Sequence, residues 1–172
     1  IKNGYRAIRS HIDTYESQPI NIWIELFKLK EKFSSELTLQ FVALAPLEFW
    51  DTSNGEELAK MFSSHGGILG GVIVPPFNKK DISKFLAKML FLASKYKLEI
   101  DLHIDESIIE PGAGLKILLK TIENLKINTI PITCSHLSSL IFLNPNEVLN
   151  LGKKIAEKNI KIIALPLTNF WL

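Results

Sequence analysis

One stretch decides the fold of this chain: Glu99-Ile100-Asp101-Leu102-His103-Ile104-Asp105-Glu106-Ser107. It begins with the apolar–polar alternation of a strand and ends in a cluster of ionisable side chains. Strand side chains point to opposite faces in turn, so Asp101, His103 and Asp105 are expected on one face and the apolar residues on the other. Buried carboxylates are costly unless they are paired or bind a metal. Taken alone, the stretch is typical of an exposed edge strand; the rest of the chain favours a functional site.

The composition predicts one folded domain that does not bind a polyanion. The 172 residues are 47% hydrophobic and carry a net charge of +2, which predicts no nucleic-acid partner and no membrane-surface partner. The chain contains no apolar run of about eighteen residues, so no membrane span is predicted. The single cysteine, Cys134, is interpreted as a small core residue. One cysteine excludes a disulfide framework and is typical of a protein of the reducing cytoplasm.

Strand-like and helix-like segments alternate along the chain with a period of roughly thirty residues. The candidate strands are Ala7–Asp13, Thr38–Ala45, Gly71–Pro75, Glu99–Asp105, Pro131–Ser135 and Lys161–Leu167. The candidate helices between them are Ile20–Phe33, Gly55–Ser64, Asp81–Tyr96, Gly114–Leu125 and Asn146–Lys158. Asp81 and Asn146 are predicted to cap two of these helices, and Gly66-Gly67 to end another.

Strands that alternate with helices run parallel, which leaves an open doubly wound sheet or a closed barrel. The first candidate strand lacks the glycine-rich phosphate loop that follows the first strand of a dinucleotide-binding sheet. Polar residues instead gather at the C-terminal ends of successive strands, where barrel enzymes build their sites. They are His11, Asp13, Glu48, His103, Asp105, Glu106, Ser135, His136 and Asn169. A complete barrel takes about 250 residues, so the predicted fold is α/β, a partial barrel of about six β/α units.

Four motifs, in this order, resemble the cytosine deaminase branch of the metal-dependent amidohydrolase superfamily. The segment Ala7–Asp13 is similar to the Arg-x-His-x-Asp pattern of that family's second strand. The segment from Asp101 to Glu106 resembles the Asp-x-His-x-Asp-Glu pattern of the fifth strand. Ser135-His136 resembles the Ser-His motif after the sixth strand, and Leu165–Asn169 resembles the Pro-x-x-Asn stretch that ends the seventh.

The resemblance implies that residues 1–172 form a single partial amidohydrolase domain, a (β/α)8 TIM barrel reduced to strands two to seven. Members of the family open the barrel with a His-x-His pair on the first strand and close it with an aspartate on the eighth. Both features belong to the metal site, and neither is found in this sequence. The chain is therefore expected to be an internal segment of a longer protein.

The resemblance also assigns roles to three side chains. His103 matches the fifth-strand metal ligand, so the intact protein is expected to hold one divalent metal, zinc or iron, which is absent or weakly bound in this segment. Glu106 matches the proton shuttle, and His136 matches the histidine that holds the attacking hydroxide or the developing charge. The residues alone are also compatible with a core histidine paired to Asp101 or Asp105, and with a surface glutamate.

One departure from the family's pattern concerns the substrate. Cytosine deaminases carry a glutamine after the third strand that reads the pyrimidine edge, whereas this slot falls on Pro46 or Leu47, followed by Glu48. Leu47 and Glu48 are therefore the expected substrate-binding residues, and Glu48 favours a ligand with more hydrogen-bond donors. The groups expected just outside the metal and catalytic residues are His11, Asp13, Asp105 and Asn169.

The predicted activity is metal-dependent hydrolytic deamination of a cytosine-like or related small heterocyclic ring, with the isolated segment inactive. The alternatives are hydrolysis of a cyclic amide or an alkylamino-triazine, and a barrel fragment that has no catalysis and serves only in folding or assembly. Because an open sheet of six units has two unpaired edges, a homo-oligomer is expected.

Overall fold

The structure, a computed structural model, describes residues 3–15, 20–127 and 129–169. Within them, parallel strands form one sheet in chain order. The strands are β1 (Ala7–Asp13), β2 (Thr38–Pro46), β3 (Ile68–Ile73), β4 (Glu99–Ile104), β5 (Ile132–His136) and β6 (Lys161–Ile163). The sheet curls into a half-barrel whose strands alternate with helices, so the predicted partial TIM barrel is confirmed.

The helices confirm the predicted alternation, and the five long ones differ from the predicted bounds by two residues at most. They are α1 (Asn21–Lys32), α2 (Ser53–His65), α3 (Lys79–Tyr96), α4 (Ala113–Leu125), α5 (Pro145–Glu157) and the short α6 (Pro166–Asn169). Two short 3₁₀ helices, Leu47–Asp51 and Ser138–Phe142, follow β2 and β5. Among the described residues, no helix is long and apolar enough to cross a membrane.

Two of the predicted helix caps are wrong by a few residues. Asn78, not Asp81, caps α3 by accepting a hydrogen bond from the Lys80 amide at 3.0 Å. Asn144, not Asn146, caps α5 by accepting from the Glu147 amide at 2.9 Å. An asparagine just before the first turn satisfies an amide that has no partner within the helix, whereas one inside the turn cannot. Gly66 ends α2 as predicted, with a φ of 67°.

The prediction was also wrong about where β3 begins and where β6 ends. The pair Gly70-Gly71 lies inside β3. A Cβ on Gly70 would come within 2.6 Å of a Val42 methyl group of β2. Glycine therefore allows β2 and β3 to pack closely, and it does not mark a loop here. At the other end, β6 stops at Ile163, and α6 begins at Pro166, because proline is favoured in the first turn of a helix, where an amide has no partner within the helix.

The apolar core lies between the convex face of the sheet and the helices. Leu102 of β4 is fully buried, and a Cβ added at Gly71 would contact both Leu102 and Met89 of α3. Cys134 of β5 also lies in this core with 0% exposure, and burial raises the pKa of its thiol to about 12. The interpretation of Cys134 as a small core residue is therefore confirmed.

The concave face of the sheet is polar, and Arg9 of β1 is the centre of its hydrogen bonding. The Arg9 guanidinium donates to Asp101 of β4 at 2.6 Å, to Gln40 at 3.0 Å and to Thr133 of β5 at 3.4 Å. In a flat sheet β1 and β4 would stand about 14 Å apart, with side chains perpendicular to the sheet. The contact between Arg9 and Asp101 is therefore possible only because the sheet is strongly curved.

The outermost strands of the described sheet, β1 and β6, each pair on one side only. Ile162 and Ile163 of β6 are 49% and 39% exposed. Exposed apolar edge strands are sites of association, so the expectation of a homo-oligomer stays a prediction with this structural support.

The ion pair between Arg9 and Asp101 gives the first prediction. Arg9→Ala leaves the Asp101 carboxylate, 0% exposed, without its cation. Removing one partner of a buried pair costs about 3–5 kcal/mol, and we expect the lower end because the Arg9 side chain is 22% exposed. Urea unfolding measures the loss. As a control, Lys28→Ala breaks an exposed pair with Glu25 and should hardly move the midpoint; equal midpoints for both variants would contradict the prediction.

Candidate functional site

Three of the predicted site residues meet at the C-terminal ends of β4 and β5. His103, Glu106 and His136 each offer a ligand atom, and these atoms lie within 4.8 Å of one another. The Glu106 Oε1 atom is 3.0 Å from His136 Nδ1, and the rings of His103 and His136 have centroids 4.9 Å apart. Two imidazoles and a carboxylate at this spacing are a donor set that suits a divalent transition metal.

The backbone around this cluster adopts conformations that L-residues rarely take. The φ angles are 55° at Asp105, 76° at His136 and 53° at Leu137. Each such residue costs on the order of 1 kcal/mol or more, and such residues persist only where the surroundings hold them. Hydrogen bonds supply that support: the Leu137 amide donates to the Ile104 carbonyl at 3.0 Å, and the Ser139 amide donates to the Asp105 carbonyl at 3.2 Å.

His103 lies between two other histidines on the concave face. Its ring is edge-on to His11, with centroids 4.7 Å apart, and edge-on to His136. Burial, together with the neighbouring imidazoles, lowers the pKa of His103 to about 4, although Asp101 and Asp13 oppose the shift. His103 is therefore neutral near pH 7, which is the form that binds a metal ion.

His11 and Asp101 continue the polar face away from the cluster. The His11 Nε2 atom is 3.4 Å from Asp101 Oδ1, without the geometry of a hydrogen bond. Burial acts to raise the pKa of Asp101, but the contacts with His11 and Arg9 outweigh it and hold that pKa below its usual range. An ionised Asp101 thus stands behind the histidines, on the side opposite to the C-terminal edge.

The Asp105 side chain does not lie on the strand face that it was predicted to share with Asp101 and His103. Asp105 follows the end of β4, and its carboxylate accepts hydrogen bonds from the amides of Gly114 at 2.8 Å and Leu115 at 2.9 Å, at the start of α4. The expectation that Asp105 shares a face with Asp101 and His103 is therefore wrong. Burial raises the pKa of Asp105 in spite of these two hydrogen bonds.

The predicted substrate-binding pair is divided between core and surface. Leu47 is 1% exposed and packs into the apolar core, whereas Glu48 is exposed. Glu48 lines a pocket at the C-terminal edge together with Asp13, Tyr15 and Val72. Val72 pairs with His103 in the register of β3 and β4, so this pocket adjoins the histidine cluster. Leu47 also lines this pocket, but of the pair only Glu48 offers it a polar group.

One predicted residue of the site cannot be placed, and two residues of the site were not predicted. Asn169 ends α6, and its side chain lies outside the described part of the chain. Ser139 and Gly114 were not predicted to take part, yet both bond to Asp105 or to its neighbours. The only signal for Gly114 was its place at the start of a predicted helix, and the only signal for Ser139 was its place three residues after the Ser135-His136 motif.

Two solved structures share this architecture. N-isopropylammelide isopropylaminohydrolase from Burkholderia multivorans aligns with 94% of this chain and 41% of its own, at a TM-score of 0.76 and 21% identity. A 5-methylcytosine deaminase from Klebsiella pneumoniae, liganded with phosphonocytosine, aligns with 97% of this chain and 40% of its own, at a TM-score of 0.75 and 22% identity. At these identities the likeness establishes the fold.

The chain is also similar in sequence to a deaminase. The chain is 31% identical, over 99% of its length, to a pterin deaminase of Rhizobium rhizogenes, and it spans 38% of that relative's length. No protein-family model matches the chain. The relative in sequence and one of these two structural neighbours are deaminases by name, so the predicted resemblance is confirmed. Enzymes of this type are generally metal-dependent.

The lowered pKa of His103 predicts a dependence of stability on pH. The unfolded imidazole takes up a proton near pH 6.5, whereas the folded one resists protonation down to about pH 4. The free energy of unfolding therefore falls as pH decreases between these values. Urea midpoints at several pH values should show a smaller loss for His103→Gln than for the wild type. Parallel curves for the two proteins would contradict the lowered pKa.

Proposed function

We propose that the protein containing this chain is a metal-dependent hydrolase that deaminates a small heterocyclic ring. The observation that supports this most is the cluster of His103, Glu106 and His136, placed at the C-terminal edge of a barrel related to deaminases. The 31% identity to a pterin deaminase supports the same reaction. The chain spans well under half of that relative, so the activity is proposed for the whole protein.

The described residues fit a divalent metal through His103. Its imidazole is neutral near pH 7 and lies within reach of a second imidazole and a carboxylate. Zinc and iron both accept imidazole ligands, and we propose one of these two as the metal. When bound, such an ion supplies Lewis-acid activation of water at neutral pH. The remaining ligands are proposed to lie outside residues 1–172.

Glu106 and His136 are proposed to handle protons and charge. The Glu106 carboxylate is partly exposed, so it can carry one proton from the attacking water to a ring nitrogen and the second proton of that water to the departing amine, which leaves as ammonia. The His136 side chain is 4% exposed and has its Nδ1 atom against Glu106. A buried and oriented imidazole of this kind can hold the developing oxyanion in place.

The pocket beside the histidine cluster supports a substrate other than cytosine. Leu47 occupies the slot of the family's glutamine, and at 1% exposure it offers the pocket only an apolar side chain. The side chains of Glu48 and Asp13 offer carboxylate acceptors at the pocket wall. Acceptors of this kind suit a ring edge that carries several N–H donors, such as the edge of a pterin. A pterin is therefore the proposed first substrate, and His11, Asp13, Asp105 and Asn169 are proposed to support the site from outside it.

We place the enzyme in the cytoplasm as a homo-oligomer. The single cysteine is buried and unpaired, which agrees with a reducing compartment. In this chain, β1 and β6 each pair on one side only, which supports self-association of the chain itself.

Metal binding by this chain is testable without turnover. Titration of the chain with Co²⁺, followed by its visible absorption, should show weak binding because ligands from outside the segment are missing. His103→Ala should lower that affinity by at least about tenfold, because even the loss of a residue that only orients a metal ligand lowers metal affinity by about this factor. The control His65→Ala changes a histidine at the end of α2 and should leave the affinity unchanged. Equal affinities for the two variants would argue against His103 as a ligand.

The proton-transfer role predicts the effect of one substitution on activity. In the protein that carries this chain, Glu106→Gln should lower kcat for ammonia release by about 10²–10⁴-fold, the usual contribution of a general acid–base. The control Glu110→Gln changes an exposed glutamate of the same loop that pairs with Lys79. Pterin, cytosine and N-isopropylammelide are the substrates to compare, with pterin expected to be the best. Near-normal kcat in Glu106→Gln would exclude the proposed role.

A further inference from the structure

The Asp105 carboxylate joins the site to the start of α4. Its Oδ1 atom accepts from the Gly114 amide at 2.8 Å and its Oδ2 atom accepts from the Leu115 amide at 2.9 Å. The first amides of a helix have no partner within it, so both oxygens satisfy groups that would otherwise be buried and unpaired. A Cβ added at Gly114 would lie 2.9 Å from Asp105 Oδ1. Glycine at this position therefore allows the close approach of the carboxylate.

The backbone of Asp105 joins two further elements. Its amide donates to the Ile73 carbonyl at the end of β3, at 3.0 Å. Its carbonyl accepts from the Ser139 amide at 3.2 Å and from the Ser138 hydroxyl at 3.3 Å, both in the 3₁₀ helix after β5. The Ser139 hydroxyl in turn accepts from the Gly112 amide at 3.1 Å. Asp105, at 1% exposure, thus connects the loop after β4 to the loop after β5.

Glu106 and His136 stand on these two connected loops. Glu106 directly follows Asp105, whose positive φ turns the chain at this point, and His136 precedes the 3₁₀ helix by two residues. We propose that Asp105 is a positioning residue that holds the Glu106 carboxylate against His136 Nδ1 by fixing both loops to each other and to α4. The importance of Glu106 and His136 for catalysis rests on the proposed function. The contact between these two side chains does not depend on it.

The proposal depends on the carboxylate having two acceptor oxygens. The substitution Asp105→Asn keeps the size of the side chain but leaves one acceptor, and the new NH₂ group would face an amide donor. Asp105→Asn should therefore loosen the loop and separate Glu106 from His136. A simple loss of helix capping elsewhere should not, and Thr52→Ala provides that comparison, because Thr52 caps α2 through the Gly55 amide at 3.1 Å.

The test is the ¹⁵N spectrum of the His136 imidazole in the metal-free chain, at one fixed pH. Glu106→Gln supplies the reference signal for a His136 without its carboxylate neighbour. We expect Asp105→Asn to move the His136 signals toward that reference, and Thr52→Ala to leave them at the wild-type position. His136 signals that stay at the wild-type position in Asp105→Asn, or that move equally in Thr52→Ala, overturn the proposal.

A second variant decides the question if Asp105→Asn does not fold. Ser139→Ala removes the hydroxyl that accepts from Gly112 and leaves the carboxylate in place. It should move the His136 signals in the same direction by a smaller amount, and signals at the wild-type position overturn the proposal. The measurement needs neither metal nor substrate. Failure of the protein to deaminate a pterin would therefore count against the proposed function alone.

Discussion

The contact between Arg9 and Asp101 is the constraint on which the rest of the half-barrel depends. It joins β1 to β4 across the concave face, so it can form only when the sheet is curved, and it gives a fully buried carboxylate its cation. Gln40 and Thr133 bond to the same guanidinium and extend the link to β2 and β5. The convex face is apolar and covered by helices. Hydrophobic packing therefore stabilises this face, whereas hydrogen bonds and the ion pair stabilise the concave face.

The contacts among three histidines of the site depend on the curvature of this sheet. Curvature brings His11, His103 and His136 from three different strands into ring contact. Burial, together with the two neighbouring imidazoles, then lowers the pKa of His103 and keeps it neutral near pH 7. The strained residues at the ends of β4 and β5 are held by hydrogen bonds between loops, and those same bonds turn Glu106 toward His136. The contacts that stabilise the fold at this edge therefore also position the residues of the site.

Much of this was predictable from the sequence, because the informative patterns are local. Strand alternation and helix periodicity located every long element, and polar residues at strand ends located the cluster. The failures came where tertiary contacts decide. Gly70 belongs to a strand because β2 packs against it, and Asp105 leaves the shared face because the amides of α4 compete for its carboxylate. Leu47 follows a strand end, yet its side chain is buried in the core.

The burial of Cys134 has a practical consequence for work on this protein. A thiol whose pKa is about 12, with 0% exposure, does not react with maleimides or thiosulfonates at neutral pH. Because the chain has no other cysteine, a cysteine introduced on the exposed edge at Ile163, on the opposite face from Cys134, would carry a spin label or a fluorophore alone. Distances between such labels could then report directly on how copies of the chain associate, with the native thiol left in place.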